Sequence, residues 1–341
     1  MTISAAVPIG LHPKVQAAYD VLSGRLLDRD LALSLGCLEG ADILDLASLA
    51  HKVRLAFAPQ TRLCTILNAK SGACSEDCKF CAQSGHHSAG IEVYPLLSES
   101  RILEAAGQAY DQGVRTFGLV TSGRGWDRLS PETETVLAMV RALRGRFPDL
   151  EICGSFGMLG EDVAAALAAA GVRRYNLNLQ VAPGRYADLV SSTHAVSERL
   201  DTIRLLKRHG IQTCVGGIIG LGETMAERIE LALALRDLDV DVVPLNVLLP
   251  LPGTALERQP PVPIADVVKT FALFRLLLPG KVIKFAAGRE TKLKDFQGLL
   301  MLSGASGFLT GGYLTTRGRD IAEDQALARE LAAFDKTGNR N

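Results

Sequence analysis

Three cysteines, Cys74, Cys78 and Cys81, stand in the segment Cys-Ser-Glu-Asp-Cys-Lys-Phe-Cys. Their C-x3-C-x2-C spacing gathers three thiolates within one short loop. Three thiolates can hold three irons of a four-iron cube and leave the fourth iron open to bind and reduce a ligand. A closed electron-transfer cluster uses four cysteines. A structural zinc site is the competing reading, with His86 or His87 as the fourth ligand. A disulfide with a spare thiol suits this chain less, because its cysteine usage and lack of a signal sequence point to a reducing, cytoplasmic setting.

The elements that must position these thiols follow from the periodicity. Residues 12–58 carry apolar positions at helical spacing (Val15, Ala18, Tyr19, Leu22, then Leu31, Leu33, Leu35). From about Arg62 onward, short β-branched runs alternate with Ala/Leu/Arg-rich stretches. Strands are predicted at 62–68, 115–121, 150–156, 173–179, 211–218, 241–248, 281–286 and 306–311. Helices are predicted between them, at 99–112, 131–146, 160–170, 197–209, 224–238 and 263–278. Ser130 before Pro131 is a helix N-cap, and Gly113, Gly171, Gly210 and Gly280 fall where C-caps belong. Eight strand–helix units imply an α/β fold, a (β/α)8 TIM-type barrel whose functional residues sit at the strand C-termini. A doubly wound open sheet is the alternative. The expected division is an N-terminal helical extension at 1–58, the barrel at 59–325 and a C-terminal tail at 326–341, frayed from Lys336 onward.

Composition excludes other classes. The 37 basic and 37 acidic side chains cancel and form no basic patch, which argues against nucleic-acid binding. No apolar run approaches the ~18–20 residues of a membrane span, and the N-terminus lacks the charged and apolar regions of a signal peptide.

Polar and sulfur residues recur inside the expected strands. Cys64, Cys153 and Cys214 lie in strands one, three and five, Asn176 and Asn178 in strand four, Asn246 in six and Lys284 in seven. Inward positions of separate strands converge on the barrel axis, so the barrel should enclose a polar cavity rather than a packed core. The alternative for the three cysteines is ordinary core packing. Cys37, outside any motif, reads as a plain core cysteine.

The cysteine motif, with Phe80 before its last member, resembles the radical S-adenosylmethionine superfamily. The likeness extends to Asn68-Ala-Lys-Ser-Gly-Ala-Cys74, Cys81-Ala-Gln-Ser84, Thr121-Ser-Gly123, Tyr175-Asn-Leu-Asn-Leu179, Gly216-Gly-Ile-Ile-Gly-Leu-Gly-Glu223, Val243-Pro-Leu-Asn246, Ala287-Gly-Arg-Glu290 and Tyr313-Leu-Thr-Thr316. In that order these segments resemble the biotin synthase family, across roughly residues 30–325.

The resemblance implies a [4Fe-4S] cluster on Cys74, Cys78 and Cys81 that chelates S-adenosyl-L-methionine. One-electron reduction would release methionine and a 5′-deoxyadenosyl radical able to take hydrogen from an unactivated C–H bond. It places Thr121, Ser122, Asn178, Gln180, Gly216, Gly217, Gly220 and Glu223 around the cofactor. It places Asn178, Asn246, Lys284, Arg289, Thr315 and Thr316 around the substrate. Read as residues alone, the glycines could form a plain turn, and the asparagines could satisfy buried backbone. Arg289 could cap a strand end, and Thr315 and Thr316 could cap the last helix.

The chain departs from the family pattern at the second cluster. The family's [2Fe-2S] site uses three cysteines and an arginine. Two of those cysteines match Cys153 and Cys214, the third matches Gly118, and the arginine matches Lys284. Cys64 is an additional thiol, shared with a divergent branch of the family. The expectation is therefore a second Fe-S cluster of four-iron type on Cys64, Cys153 and Cys214, with an open iron carrying the sulfide to be inserted. The family's acidic residue after Asn-Leu is Gln180 here, which leaves room for other substrates.

The leading reading is a radical SAM sulfurtransferase acting on dethiobiotin. The alternatives are lipoyl-synthase-like insertion into an octanoylated carrier protein, a non-sulfur maturase, and a protein with only a structural metal. Expected partners are the small-molecule substrate, an electron donor such as flavodoxin or ferredoxin, Fe-S assembly proteins and a second copy in a homodimer.

Overall fold

In the structure, a computed structural model that describes residues 10–316 and 318–336, eight parallel strands close on themselves. They are β1 (Arg62–Lys70), β2 (Thr116–Thr121), β3 (Glu151–Ser155), β4 (Arg174–Asn176), β5 (Gln212–Cys214, resuming at Gly217–Ile219), β6 (Val242–Val247), β7 (Val282–Phe285) and β8 (Gly307–Leu309). Each pairs with its successor, and β8 pairs back with β1 through Arg62↔Gly307 and Cys64↔Leu309, so the sheet has no edge and the open-sheet alternative falls.

The closure follows from the alternation of side chains. Phe117, Ile152, Tyr175, Val243, Leu245, Ile283 and Phe285 are buried in the core under the helices. Their neighbours along each strand (Gly118, Cys153, Arg174, Asn176, Pro244, Asn246, Lys284) line the interior cavity instead. Successive strand residues face opposite sides, so apolar-out and polar-in is the pattern of a barrel that holds something.

Observed strands are shorter than expected where the site needs irregular backbone. The stretch expected at 173–179 is regular only to Asn176, and Gln180 sits in the left-handed region at φ 69°. The stretch expected at 211–218 breaks before Gly217. A Cβ on Gly216 would stand 1.9 Å from the Pro244 carbonyl oxygen, and one on Gly217 would stand 2.5 Å from that of Gln180. These glycines let backbone approach backbone.

Ser130 caps the helix Pro131–Arg146, its hydroxyl accepting from Thr133 N–H at 3.3 Å while Thr133 Oγ1 accepts from Ser130 N–H at 2.7 Å. Gly113, Gly171 and Gly210 have φ of 84°, 102° and 70° at or just after helix ends. Gly280 does not serve this way. The helix Ile264–Leu277 stops at Leu278, ahead of Pro279, which cannot continue it.

The N-terminal helices Arg29–Gly36 and Asp42–Phe57 pack over Met225–Asp237 and Ile264–Leu277. The latter is consequently buried on every side from Val267 to Leu277. Cys37 corrects its expectation: it is exposed at the C-cap of Arg29–Gly36. The helix Ile321–Leu331 runs across position 326, where the tail was expected to begin. Positions 1–9 and 337–341, including most of the expected frayed end, lie outside the described residues. No helix among the described residues is long and apolar enough to cross a membrane.

Candidate active site

The three-cysteine loop leaves β1 through Gly72 and Ala73, at φ 75° and 50°. It closes on itself: Cys74 N–H donates to Gln83 O at 3.1 Å, Gly85 N–H to Cys74 O at 2.7 Å, and Cys81 N–H to Cys78 O at 2.9 Å. The segment after the short helix Tyr186–Leu189 clamps it from outside. Asp77 accepts from the hydroxyls of Ser191 and Ser192, each at 2.5 Å, and from Ser192 N–H at 3.0 Å. Burial pushes the Asp77 carboxyl up, but these donors outweigh it and hold it well below the usual range.

Glu76 makes a second tie. Its carboxylate meets His194 Nδ1 at 2.5 Å and accepts from Thr193 Oγ1 at 2.7 Å. His194 Nε2 reaches Tyr186 Oη at 2.7 Å, Arg199 Nε donates to the same oxygen at 2.5 Å, and Arg199 Nη1 donates to Asn178 O at 3.0 Å. Burial and the Arg199 charge lower His194 against the pull of Glu76. The loop, the end of β4 and the helix Val196–Arg208 are thus one hydrogen-bonded unit.

One cavity of about 410 Å³ runs down the barrel. Cys74, Cys78 and Cys81 line its mouth at the strand C-termini. Cys64, Cys153 and Cys214 line its floor with Arg174 and Lys284. Arg174 stands in register with Cys153, and Asn176 with Cys214, so neighbouring strands aim them at one space. Lys284 enters from β7, with the thiols of Cys64 and Cys214 as neighbours. Burial works against its charge, and those two groups outweigh it only as thiolates, holding the ammonium above its ordinary range.

Both thiol sets suit iron. Burial raises Cys78 and Cys153 to about 12, and raises Cys81 and Cys214 as well. Without metal these thiols keep their protons, and metal binding must displace them. Among the described residues, no three His, Cys, Asp or Glu side chains converge on a point that could hold a single ion. A cube does not need that convergence, because each thiolate bonds its own iron. The zinc reading also loses its histidines: His86 Nε2 is 3.0 Å from Ser75 O and His87 Nδ1 is 2.8 Å from Cys81 O. Higher in the cavity, Gln180 Oε1 is buried without a partner, an acceptor waiting for a ligand hydroxyl or amine.

The remaining expected site residues divide. Thr121, Ser122, Asn178, Gln180, Asn246, Lys284, Thr315 and Thr316 line the cavity. Several are already committed. Ser122 Oγ donates to Gly72 O at 2.7 Å. Asn178 Oδ1 accepts from Asn176 Nδ2 and Gly216 N–H, both at 3.0 Å. Asn246 donates to Gly217 O at 3.2 Å and accepts from Ala287 N–H at 2.9 Å. Thr315 and Thr316 do not cap the last helix, because Asp320 does.

Gly216, Gly217, Gly220 and Glu223 stay behind the cavity wall. Both Glu223 oxygens are spent on Gly220 N–H at 2.8 Å, Leu221 N–H at 2.7 Å and Arg228 Nε at 2.7 Å, so this carboxylate shapes a turn.

Arg289 is fully buried and does not line the cavity. It donates to Asp324 at 2.8 Å, to Gln297 at 3.0 Å and to Leu309 O at 3.1 Å, pinning the helix Ile321–Leu331 to the barrel. Arg289→Met should therefore cost about 3–5 kcal/mol, because it strands Asp324 without its partner. Thermal melting and hydrogen exchange in Ile321–Leu331 read this. A raised KM with unchanged stability would restore the carboxylate-clamp role.

Residue spacing did not flag Arg174, Glu76, His194 or Arg199. Glu76 and His194 meet across 118 positions, a distance no local pattern spans.

Comparison with known proteins bears on the whole chain. The radical SAM superfamily model matches residues 69–235, and the model of the biotin and thiamin synthesis associated domain matches 244–332. A biotin synthase of Chlorobium limicola is 56% identical over 95% of this chain and 98% of that protein. One of Chlorobaculum parvum is 54% identical over the same shares. Among solved structures, methylornithine synthase superposes with a TM-score of 0.79 at 20% identity, covering 95% of this chain and 97% of that one, a likeness of fold. With relatives this similar along almost the entire chain, the protein belongs to the biotin synthase family of the radical S-adenosylmethionine superfamily.

Proposed function

We propose that this chain converts dethiobiotin to biotin with sulfur drawn from a second cluster held by Cys64, Cys153 and Cys214. As a family member it is a radical SAM sulfurtransferase. The observation that carries the finer reading is the stacking of two separate three-thiol sets in one cavity, one at the mouth and one on the floor.

Cys74, Cys78 and Cys81 would hold the [4Fe-4S] cluster with S-adenosyl-L-methionine, which supplies a hydrogen-abstracting radical when reduced. The chain's own residues do the positioning. The tie from Glu76 through His194, Tyr186 and Arg199 fixes the cysteine loop against Asn178. Gln180 offers its free acceptor to the cofactor's polar groups, without the charge of the family's acidic residue. Asn246 and the Thr315–Thr316 turn border the space between the two thiol sets, where a ureido ring and a carboxylate would be read. Enclosure within the barrel keeps water from a reactive radical. Cys64, Cys153 and Cys214 come from β1, β3 and β5, so a floor cluster would be held from three separate strands. A four-iron cluster fits three thiolates and one open iron, and that iron would carry the sulfide consumed in turnover. A cytoplasmic setting, a flavodoxin or ferredoxin donor, Fe-S assembly partners and a homodimer belong to the same proposal.

The test is an anaerobic single turnover with reconstituted protein, reductant, S-adenosyl-L-methionine and dethiobiotin, read by mass spectrometry. Iron and sulfide are counted on the same sample. Biotin from protein holding about eight irons, two four-iron sites, is the expected result. Cleavage of S-adenosyl-L-methionine without biotin would overturn the substrate and redirect the search to octanoylated protein. Biotin from protein holding about six irons would overturn the four-iron floor.

A further inference from the structure

Two buried cations line the floor of the cavity. Arg174 is 2% exposed and Lys284 is 4% exposed. The only carboxylate paired with either, among the described residues, is that of Glu151, which meets Arg174 Nη2 at 3.2 Å and is itself part-exposed at the barrel's lower rim. Arg174 Nη2 also donates to Gln212 Oε1 at 2.9 Å. Arg174 Nε is buried with no partner at all.

An unpaired buried donor on a charged group is costly unless something accepts from it. Arginine keeps its charge in any protein environment, so the acceptor must be found rather than the charge lost. The side chain shares its space with Cys153, its register partner on β3, and with the other two floor thiols. The ligand these groups would recognise is small, anionic and able to accept hydrogen bonds.

We infer that Arg174, assisted by Lys284 from the opposite wall, forms a binding site for sulfide or hydrosulfide at the floor of the cavity. The inference rests on the floor cluster of the proposed function. Arg174 is a positioning residue in this scheme: it holds the anionic sulfur and balances its charge without taking part in bond making. The sulfur that leaves in one turnover would be replaced by a fresh anion drawn to the same two cations.

The experiment titrates reconstituted full-length protein with sodium hydrosulfide. Binding is followed by the electron paramagnetic resonance spectrum of the reduced clusters and by acid-labile sulfide retained after desalting. Wild type should take up hydrosulfide with a change in the floor-cluster signal. Arg174→Met should weaken that binding about 10–100-fold, the loss of one charge-assisted hydrogen bond, and Arg174→Lys should recover part of it. Glu151→Gln, which leaves the site intact and removes its competing carboxylate, should tighten binding, and it tests the idea even if Arg174→Met fails to fold. If wild type holds about eight irons but Arg174→Met and Glu151→Gln bind hydrosulfide as wild type does, the inference is overturned and the floor cluster stands. If wild type and Cys153→Ala both hold about four irons and neither signal responds, the floor cluster itself fails and takes the inference with it.

Discussion

Cys78→Ala should abolish reductive cleavage of S-adenosyl-L-methionine, with no methionine or 5′-deoxyadenosine above background. Cys78 is the middle member of the mouth set, and its thiol faces the cavity beside Cys74 and Cys81. Two remaining thiolates would leave a cube with half its irons unheld by protein. The loop itself should survive the change. Its closure runs through backbone groups of Cys74, Cys81, Gln83 and Gly85, and its external clamp runs through Asp77 and Glu76. Iron should fall by about four per chain while the melting temperature of the metal-free protein stays near wild type. Cleavage retained in this variant would sink the assignment of the loop to the cofactor.

Cys153→Ala should separate radical generation from sulfur insertion. The mouth set is untouched, so S-adenosyl-L-methionine should still be cleaved, now without forming a carbon–sulfur bond. The lost thiol faces the cavity rather than a packed layer, so the barrel should tolerate alanine. Iron should again drop by about four, this time from the floor. Normal biotin formation by this variant would remove the floor cysteines from the reaction.

The barrel was readable because its strands obey a two-residue alternation with opposite chemistry on the two faces. That alternation also contains Arg174. It stands two positions before Asn176 and four before Asn178, on the inward face, while adjacent Arg173 is exposed. Taken as a charged pair at a strand start, the two arginines look alike, and only strand parity separates them. The glycine motif was ambiguous for a different reason. A glycine reports that something comes close, and here the close group is the chain's own backbone at Pro244 and Gln180. Arg289 was ambiguous because its partner, Asp324, lies in a helix at the edge of the expected tail. The hydrogen-bonded tie from Glu76 to Arg199 had no signal, since its members come from two segments joined only in three dimensions.

Gly118 has a consequence for where a floor thiol can stand. It lies in register between Ile66 and Cys153, and a Cβ there would approach Ile66 Cγ2 to 2.9 Å. Ile66 is β-branched and that methyl cannot swing far from the backbone. A cysteine at 118 therefore requires Ile66 to shift. A thiol on β2 in place of the one on β1 is thus coupled, in this chain, to the side chain at 66.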